Sequence, residues 1–344
     1  MPLRRVPGRS LAALTLAGVL ALAGCGSSGS DGSGSDGASS GGGAGGAAAQ
    51  TINPYADRSG YADPTSKVAQ AAAAAKKAGE TDREQVFTRL AEIPQGIWLT
   101  PEEYPPGSVA GYVTSIVDGA SAAGEVPTFV VYGIPDRDCS GGHSAGGLSA
   151  DEYGPWVGEI AKAAGAASVP VSAILEPDAL ASLLDCGDRD QRVTLISDAA
   201  DRLAAAGVTT YIDGGHSHWI DPQKIADLLE AAGVAEVRGF STNVSNFQSD
   251  ADEQAYAEQL SSLVGGAHYV IDTGRNGFGA TDEWCNPPDR AFGTEPASVS
   301  GQGSLDAYLW IKPPGESDGD CHGGPAAGQF WPERTMELAT ASGW

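Results

Sequence analysis

From residue 96 onward the chain repeats one rhythm: a short apolar run, a turn rich in glycine or acid, then a longer stretch with apolar residues three and four apart. Seven apolar runs stand out, at Gly96–Leu99, Pro127–Tyr132, Val169–Leu175, Thr209–Ile212, Val237–Phe240, His268–Ile271 and Ala307–Ile311. They are short and nearly continuous, which predicts strands buried on both faces. Between them, helical spacing covers Gly111–Ala123, Asp151–Ala164, Arg189–Ala206, Pro222–Ala232 and Asp252–Leu263. Gly165, Gly207 and Gly233 follow three of these segments directly, as a helix C-terminus favours. Two more helices, Ser66–Ala78 and Asp82–Ile93, are predicted ahead of the first strand. Strands alternating with helices of this length predict a parallel β/α barrel or an open parallel sheet.

The first fifty residues follow other rules. Arg4, Arg5 and Arg9 precede an apolar run from Leu11 to Ala23, too short for a comfortable membrane span, and predict an export signal over residues 1–24. The run ends Leu22-Ala23-Gly24-Cys25, which resembles the bacterial lipobox and implies cleavage before Cys25 and acylation of its thiol. The alternative is an ordinary secretory signal that leaves a free cysteine. From Gly26 to about Ala49 the chain is almost wholly Gly, Ser, Ala and Asp, which buries too little apolar surface to offset the entropy of ordering. Residues 25–50 are therefore expected to be a lipidated tether with an r.m.s. span of roughly 25–30 Å. It would hold the protein to the outer face of the cell membrane, the lipid being its membrane contact. Residues 51–344 remain as one large domain, since no motif recurs within them.

Charge and cysteine content narrow the partners. Twenty basic against 44 acidic side chains give a formal charge of −24, which disfavours nucleic acid. Five cysteines are present, and assigning Cys25 to lipid leaves four that can pair in an oxidising compartment, with three connectivities open. Zinc is the competing use, but no two of the four stand in a Cys-x-x-Cys pair.

Four acidic motifs begin where predicted strands end: Pro135-Asp-Arg-Asp-Cys139, Glu176-Pro-Asp178, Asp213-Gly-Gly-His216 and Gly315-Glu-Ser-Asp-Gly319. Carboxylates delivered from several strand ends into one crevice are what glycosidic-bond hydrolysis needs. Glu-Pro-Asp follows the apolar strand 171–175, so burial is expected to raise the pKa of Asp178 and suit it to donate a proton. A turn-capping aspartate is the plain reading of the same motif. A second carboxylate nearby, Asp138, would resist ionisation of both and keep Asp178 protonated. Arg137 and Asp136 are expected to brace their loop rather than touch sugar. Indole faces suit the apolar C–H faces of pyranose rings, although each tryptophan alone fits a core equally well. His216 and His218 suggest a metal at first glance, but no His-Glu-x-x-His motif completes it. No Gly-x-Ser-x-Gly elbow with strand-helix context appears, which disfavours a serine hydrolase.

In order and context these motifs resemble glycoside hydrolase family 6, the inverting cellulases, from about Thr51 to the C-terminus. The resemblance implies a distorted, TIM-like barrel of about seven parallel strands with an open cleft. It implies Asp178 as general acid, Asp138 as its helper in activating water through Ser144, and Asp318 as either a direct base or a stabiliser of the transition state. It places Lys312, Glu316 and Tyr132 on sugar. It puts a carboxylate, a histidine and a stacking tryptophan at Asp213, His216 and Trp219, with Trp98 and Trp284 on the other side of the cleavage point. Asn243 and Asn246, and Arg275 with Asn276, fit hydroxyl binding or support from behind. The pairing it implies is Cys139 with Cys186 and Cys285 with Cys321. Those short loops resemble open-cleft endoglucanases more than tunnel-roofed cellobiohydrolases. Endo-acting cleavage of β-1,4-glucan by a monomer without cofactor or metal is thus expected, with exo action as the alternative. The rival from another class is a noncatalytic glucan-binding surface lipoprotein. One departure is Ser300-Gly-Gln-Gly-Ser304, where the family often has Asn-Thr-Gly-Asp.

Overall fold

The computed structural model describes residues 43–344, apart from residues 140, 282 and 302. The expected signal segment, Cys25 and most of the expected tether lie outside the described residues. Three helices, α1 (Gly43–Gln50), α2 (Lys67–Ala78) and α3 (Thr81–Ala91), precede the sheet. Strands β1 (Ile97–Leu99), β2 (Thr128–Val131), β3 (Ser172–Leu175), β4 (Thr209–Asp213), β5 (Gly239–Thr242) and β6 (His268–Asp272) follow. They alternate with α4 (Val109–Ala123), α5 (Ala150–Ala164), α6 (Arg189–Ala205), α7 (Pro222–Ala231) and α8 (Asp250–Leu263). The chain then adds β7 (Ala297–Ser298), β8 (Leu305–Leu309) and α9 (Pro332–Ala341).

The strands lie in the order β1-β2-β3-β4-β5-β6-β8-β7, all parallel except β7, which runs antiparallel to β8. The seven parallel strands are those expected from the apolar runs. The eighth, β7, is two exposed residues and too short to leave an apolar pattern. The last parallel strand ends two residues earlier than expected, because the amides of Ile311 and Lys312 turn to the buried Asp272 carboxylate at 3.2 and 2.9 Å. Beyond that turn the curled sheet closes on itself. Gly96 N–H donates to Trp310 O at 2.8 Å, and the Trp98 indole N–H to Ile311 O at 2.9 Å. Glycine is required at this seam, since a Cβ on residue 96 would sit 2.2 Å from Ile311 O.

Alternation along each strand splits the core in two. Phe129, Val131, Ala173, Leu175, Ile212, Tyr269 and Ile271 face the surrounding helices. Val130, Ile174, Tyr211, Val270 and Ala307 fill the barrel interior. At one end of that interior, Arg238 grips Asp306 with two hydrogen bonds of 2.8 and 2.7 Å, and Tyr211 Oη adds a third at 2.7 Å. A third cluster joins α2, α3 and α9 through residues such as Phe87, Leu90, Trp310 and Leu338.

Helix ends follow their local chemistry. Ser66, Asp188, Asp221 and Ser249 cap α2, α6, α7 and α8 through their side chains, and Ser149 with Glu152 forms a capping box on α5. Gly207 and Gly233 adopt the left-handed conformation expected of them. Gly165 does not: its φ is −67°, and it is small because a Cβ there would meet Ala206 O at 2.5 Å. The expected tether also ends sooner than its composition implies. Residues 43–50 form α1, where Gly46 packs against α6 so closely that a Cβ would meet Ala204 O at 2.4 Å. Gln50 then bonds Val208 O and the amides of Thr210 and Arg238. Small residues permit that close approach, and composition alone does not reveal it. Helix α9 likewise lay outside the expected elements.

Two glycine substitutions separate the roles of space and propensity. Gly96→Ala forces the seam apart and is expected to destabilise the fold by about 2–4 kcal/mol. Gly111→Ala, inside α4 with nothing within 4 Å of the new Cβ, is expected to stabilise by about 0.5–1 kcal/mol. Chemical denaturation of both variants checks the pair.

Candidate active site

The acidic motifs sit at the C-terminal ends of β2, β3, β4 and in the segment after β8, where a parallel sheet leaves its strand ends unpaired. Glu176 extends β3 by donating its N–H to Val131 O at 2.9 Å, and its buried carboxylate accepts from Gly133 N–H at 2.9 Å. Burial pushes its pKa up to about 7. The chain then reverses through unusual backbone. Asp136, Asp138, Glu176 and Asp178 all have φ between 51° and 66°. Aspartate tolerates that left-handed region better than most residues, at a cost of roughly 1–2 kcal/mol each.

Asp178 is half-buried. Its N–H donates to Asp213 Oδ2 at 2.9 Å, and its carbonyl accepts from Ser182 N–H at 2.9 Å. Its pKa stands well above the ordinary carboxylate range, because burial, and then the negative charges of Asp213, Asp138 and Asp318, disfavour ionisation. One strand away, Asp138 Oδ2 accepts from Ser144 N–H at 2.6 Å and Ser144 Oγ at 3.0 Å. Ser144 Oγ also lies 3.0 Å from Tyr132 Oη. The buried Arg137 holds this loop from below, donating to Tyr132 O and Ser144 O at 2.9 Å and pairing with Glu102 at 2.8 Å.

The opposite wall is built differently. Asp318 is buried, and Arg275 Nη1 reaches both of its oxygens at 2.8 Å, while Asn286 N–H adds a bond of 3.0 Å. Lys312 is buried too, donates to Ser317 O at 3.3 Å and stands 5.4 Å from the Trp98 ring centre. Burial lowers its pKa, opposed by the Glu316 and Asp318 carboxylates. Trp98 meets Tyr132 edge to face at 5.2 Å, so these two rings and Lys312 form one group.

Two of the anticipated sugar contacts, Asp213 and Asn243, lie deeper than the buried Lys312 and Tyr132. Asp213 is 1% exposed, and its oxygens are taken by Asp178 N–H, Gly215 N–H and Ser241 Oγ. It underpins Asp178. Asn243 is fully buried, with its amide spent on Asp272 O, Gln248 O and Gln248 N–H. It orders the turn that carries the half-buried Asn246. His216 and Trp219 remain accessible and adjacent, their ring centres 5.3 Å apart. Burial depresses the His216 pKa to about 4, so the ring is neutral near pH 7. His218 is exposed on the same turn, and among the described residues no three His, Cys, Asp or Glu side chains converge to hold a metal. Trp284, 41% exposed, meets His143 edge to face at 5.4 Å.

Three long-range holders were not singled out as such in the sequence. Arg192, from α6, bonds Ala179 O and Ser182 Oγ on one motif and Asp136 O on another, tying the two carboxylate-bearing turns together. Asn286 exchanges two bonds with Asp318, and Glu253, from α8, accepts from Ser217 N–H at 2.7 Å. Nothing in local spacing marks them, since their partners lie 10 to 56 residues away. Cys139 is joined to Cys186 and Cys285 to Cys321, each bond beside one of the acidic motifs.

The profile of Glycosyl hydrolases family 6 matches residues 55–342. The chain belongs to that family. Within family 6 it is 43% identical over 287 residues to Endoglucanase A of Cellulomonas fimi, a match covering 83% of this chain and 61% of that protein. The chain thus spans about three fifths of the length of that curated relative. Endoglucanase 1 of Streptomyces sp. (strain KSM-9) is 42% identical over 270 residues, covering 74% of this chain and 71% of its own. Among solved family 6 structures, the endoglucanase Cel6 from Mycobacterium tuberculosis superposes with a TM-score of 0.77 at 40% identity, covering 85% of this chain and all of that one. That protein was solved with methyl cellobiosyl-4-deoxy-4-thio-β-D-cellobioside bound. The distorted parallel barrel is the fold these enzymes share with this chain.

Two pH effects follow for this family 6 site. Replacing Asp213 by Asn removes a negative charge next to Asp178 and is expected to lower its pKa; an NMR titration of the Asp178 carboxyl in both proteins checks it. Glu253 is buried and its pKa is raised from 4.5 to about 7, so the folded state holds a proton that the unfolded state releases between those values. Its contribution makes stability fall as pH rises through that window, and Glu253→Gln is expected to flatten the dependence of Tm on pH there.

Proposed function

We propose that this protein is an inverting glycoside hydrolase that cuts β-1,4-glucosidic bonds in cellulose or a related glucan, with endo action. The observation that carries the reading is Asp178, an accessible carboxyl kept protonated among three other aspartates, beside an Asp138–Ser144–Tyr132 hydrogen-bonded group. Asp178 protonates the leaving glycosidic oxygen. Water on the opposite face of the sugar loses its proton toward Asp138 by way of Ser144, and single displacement inverts the anomeric centre. Asp318, locked by Arg275 and buried, acts by its negative charge on the oxocarbenium-like transition state rather than by taking a proton itself. Trp98, Trp219 and Trp284 offer faces for successive sugar rings, and Lys312, Glu316 and Asn246 bind their hydroxyls. No cofactor enters any of these steps.

The sequence relatives named endoglucanases support endo action. His143, from the loop after β2, meets Trp284 edge to face and lies 3.3 Å from Asp320 after β8, and this approach of the two loops favours exo action as a second reading. We place the protein outside the cell, monomeric, with Cys25 carrying the lipid. The two disulfides fit an oxidising compartment. Among the described residues no helix is long and apolar enough to cross a membrane.

The test is digestion of carboxymethylcellulose and cello-oligosaccharides. Endo action predicts a fast loss of viscosity at low reducing-sugar yield, with fresh products in the α configuration. Cellobiose accumulating at constant viscosity selects exo action. Asp178→Asn is expected to lower kcat by at least ~100-fold, whereas a noncatalytic binder would show equal, negligible turnover in both proteins.

A further inference from the structure

Behind Trp98 lies a cavity of about 270 Å³ that none of Asp138, Asp178 and Asp318 lines. Trp98 and Glu316 belong to its wall and connect it to the catalytic group; from there it runs toward the start of α2 and the segment before α4. One flank is a pair of stacked tyrosines, Tyr104 and Tyr112, with ring centres 4.0 Å apart and planes 11° apart. The rim is ionic. Lys67 Nζ donates to Gly328 O at 3.0 Å and stands 3.4 Å from Glu103 and 3.8 Å from Glu316. Tyr104 Oη donates to Glu103 Oε1 at 3.2 Å.

This combination is built for a polyol. Lys67 spends one donor on Gly328 O and a second on a long bond to Glu103 at 3.4 Å, while Glu316 at 3.8 Å lies beyond hydrogen-bond distance, so one donor is open to a ligand and the bond to Glu103 is readily exchanged. Lys67 and Glu103 have side chains 40% and 47% exposed, so their attraction is screened by water and contributes little to the fold. Hydroxyls of a sugar can slip between them at little cost. The volume accommodates one pyranose ring, with aromatic and aliphatic atoms for its C–H face and a lysine between carboxylates for its edge.

We infer that the cavity between Trp98 and the Tyr104–Tyr112 pair is a further sugar subsite, taking one glucosyl residue of the glucan chain beyond the ring on Trp98, with Lys67 and Glu103 as its hydroxyl ligands. The inference rests on the glucanase reading. It makes Lys67 a determinant of product length, because a chain that gains contacts at this end is held in a register one residue deeper across the cleavage point.

Cellohexaose labelled at its reducing end reports which bond is cut. Trp98→Ala first establishes the direction in which the cut moves when sugar contacts on this side are lost. Lys67→Met and Glu103→Gln are expected to move it the same way, changing the ratio of the two main cuts by at least fivefold. The second variant alters an exposed carboxylate and serves if the first fails to fold. A ratio unchanged in both, or moved in the opposite direction, overturns the subsite. Absence of any cleavage by the unaltered protein would instead overturn the glucanase reading, and cellohexaose binding to Asp178→Asn with and without Lys67→Met would then decide the subsite separately: weaker binding with Lys67→Met supports it, equal binding removes it.

Discussion

Carboxylates cannot be gathered out of water at one end of a sheet unless each is either held by donors or left protonated. That electrostatic constraint organises this molecule. Asp272 accepts from four backbone amides, Asp318 from a guanidinium and an amide, and Asp213 from two amides and a hydroxyl. Among the described residues Asp178 spends no side-chain oxygen in any such bond, and its charge is opposed by those of Asp213, Asp138 and Asp318. Burial first, and then those like charges, keep it protonated.

Supplying those donors shapes the backbone. The turns that aim amides at carboxylates pass through left-handed conformations at Asp136, Asp138, Glu176, Asp178, Asn243 and Ser245. Such turns persist when the surroundings over-determine them. Here Arg192 clamps two of them from α6, Arg275 and Asn286 hold Asp318, and a disulfide begins or ends beside each wall. The dual core, one layer inside the curled sheet and one beneath the helices, supplies the rigid frame against which these turns are fixed.

Closure of the sheet connects frame and site. Because β8 turns away at Ile311 to feed amides to Asp272, its last carbonyls are released to Gly96 and Trp98 across the seam. One change of direction thus ends a strand, closes the barrel and positions Trp98 against Tyr132 and Lys312.

The alternation of apolar runs and helical spacing was enough to determine seven parallel strands, their order of appearance and the strand ends at which the acidic motifs sit, because burial on both faces writes itself into local composition. Acidic motifs were legible for the same reason: a carboxylate in a Gly- or Pro-rich turn needs only its neighbours to be recognised. What the chain alone did not determine was depth and partnership. Asp213 and Asp178 look alike as turn aspartates, yet one is sealed beneath the other. Asn243 and Asn246 share a motif, yet only Asn246 reaches the surface. Arg192 reads as an ordinary helical residue until α6 is packed beside β3, and the Gly/Ala run at residues 43–50 reads as linker until α6 offers a surface close enough to need glycine. Local pattern follows from each residue's own hydrophobicity and backbone preference; which oxygen meets which donor depends on groups dozens of residues apart, and only the tertiary structure brings those together.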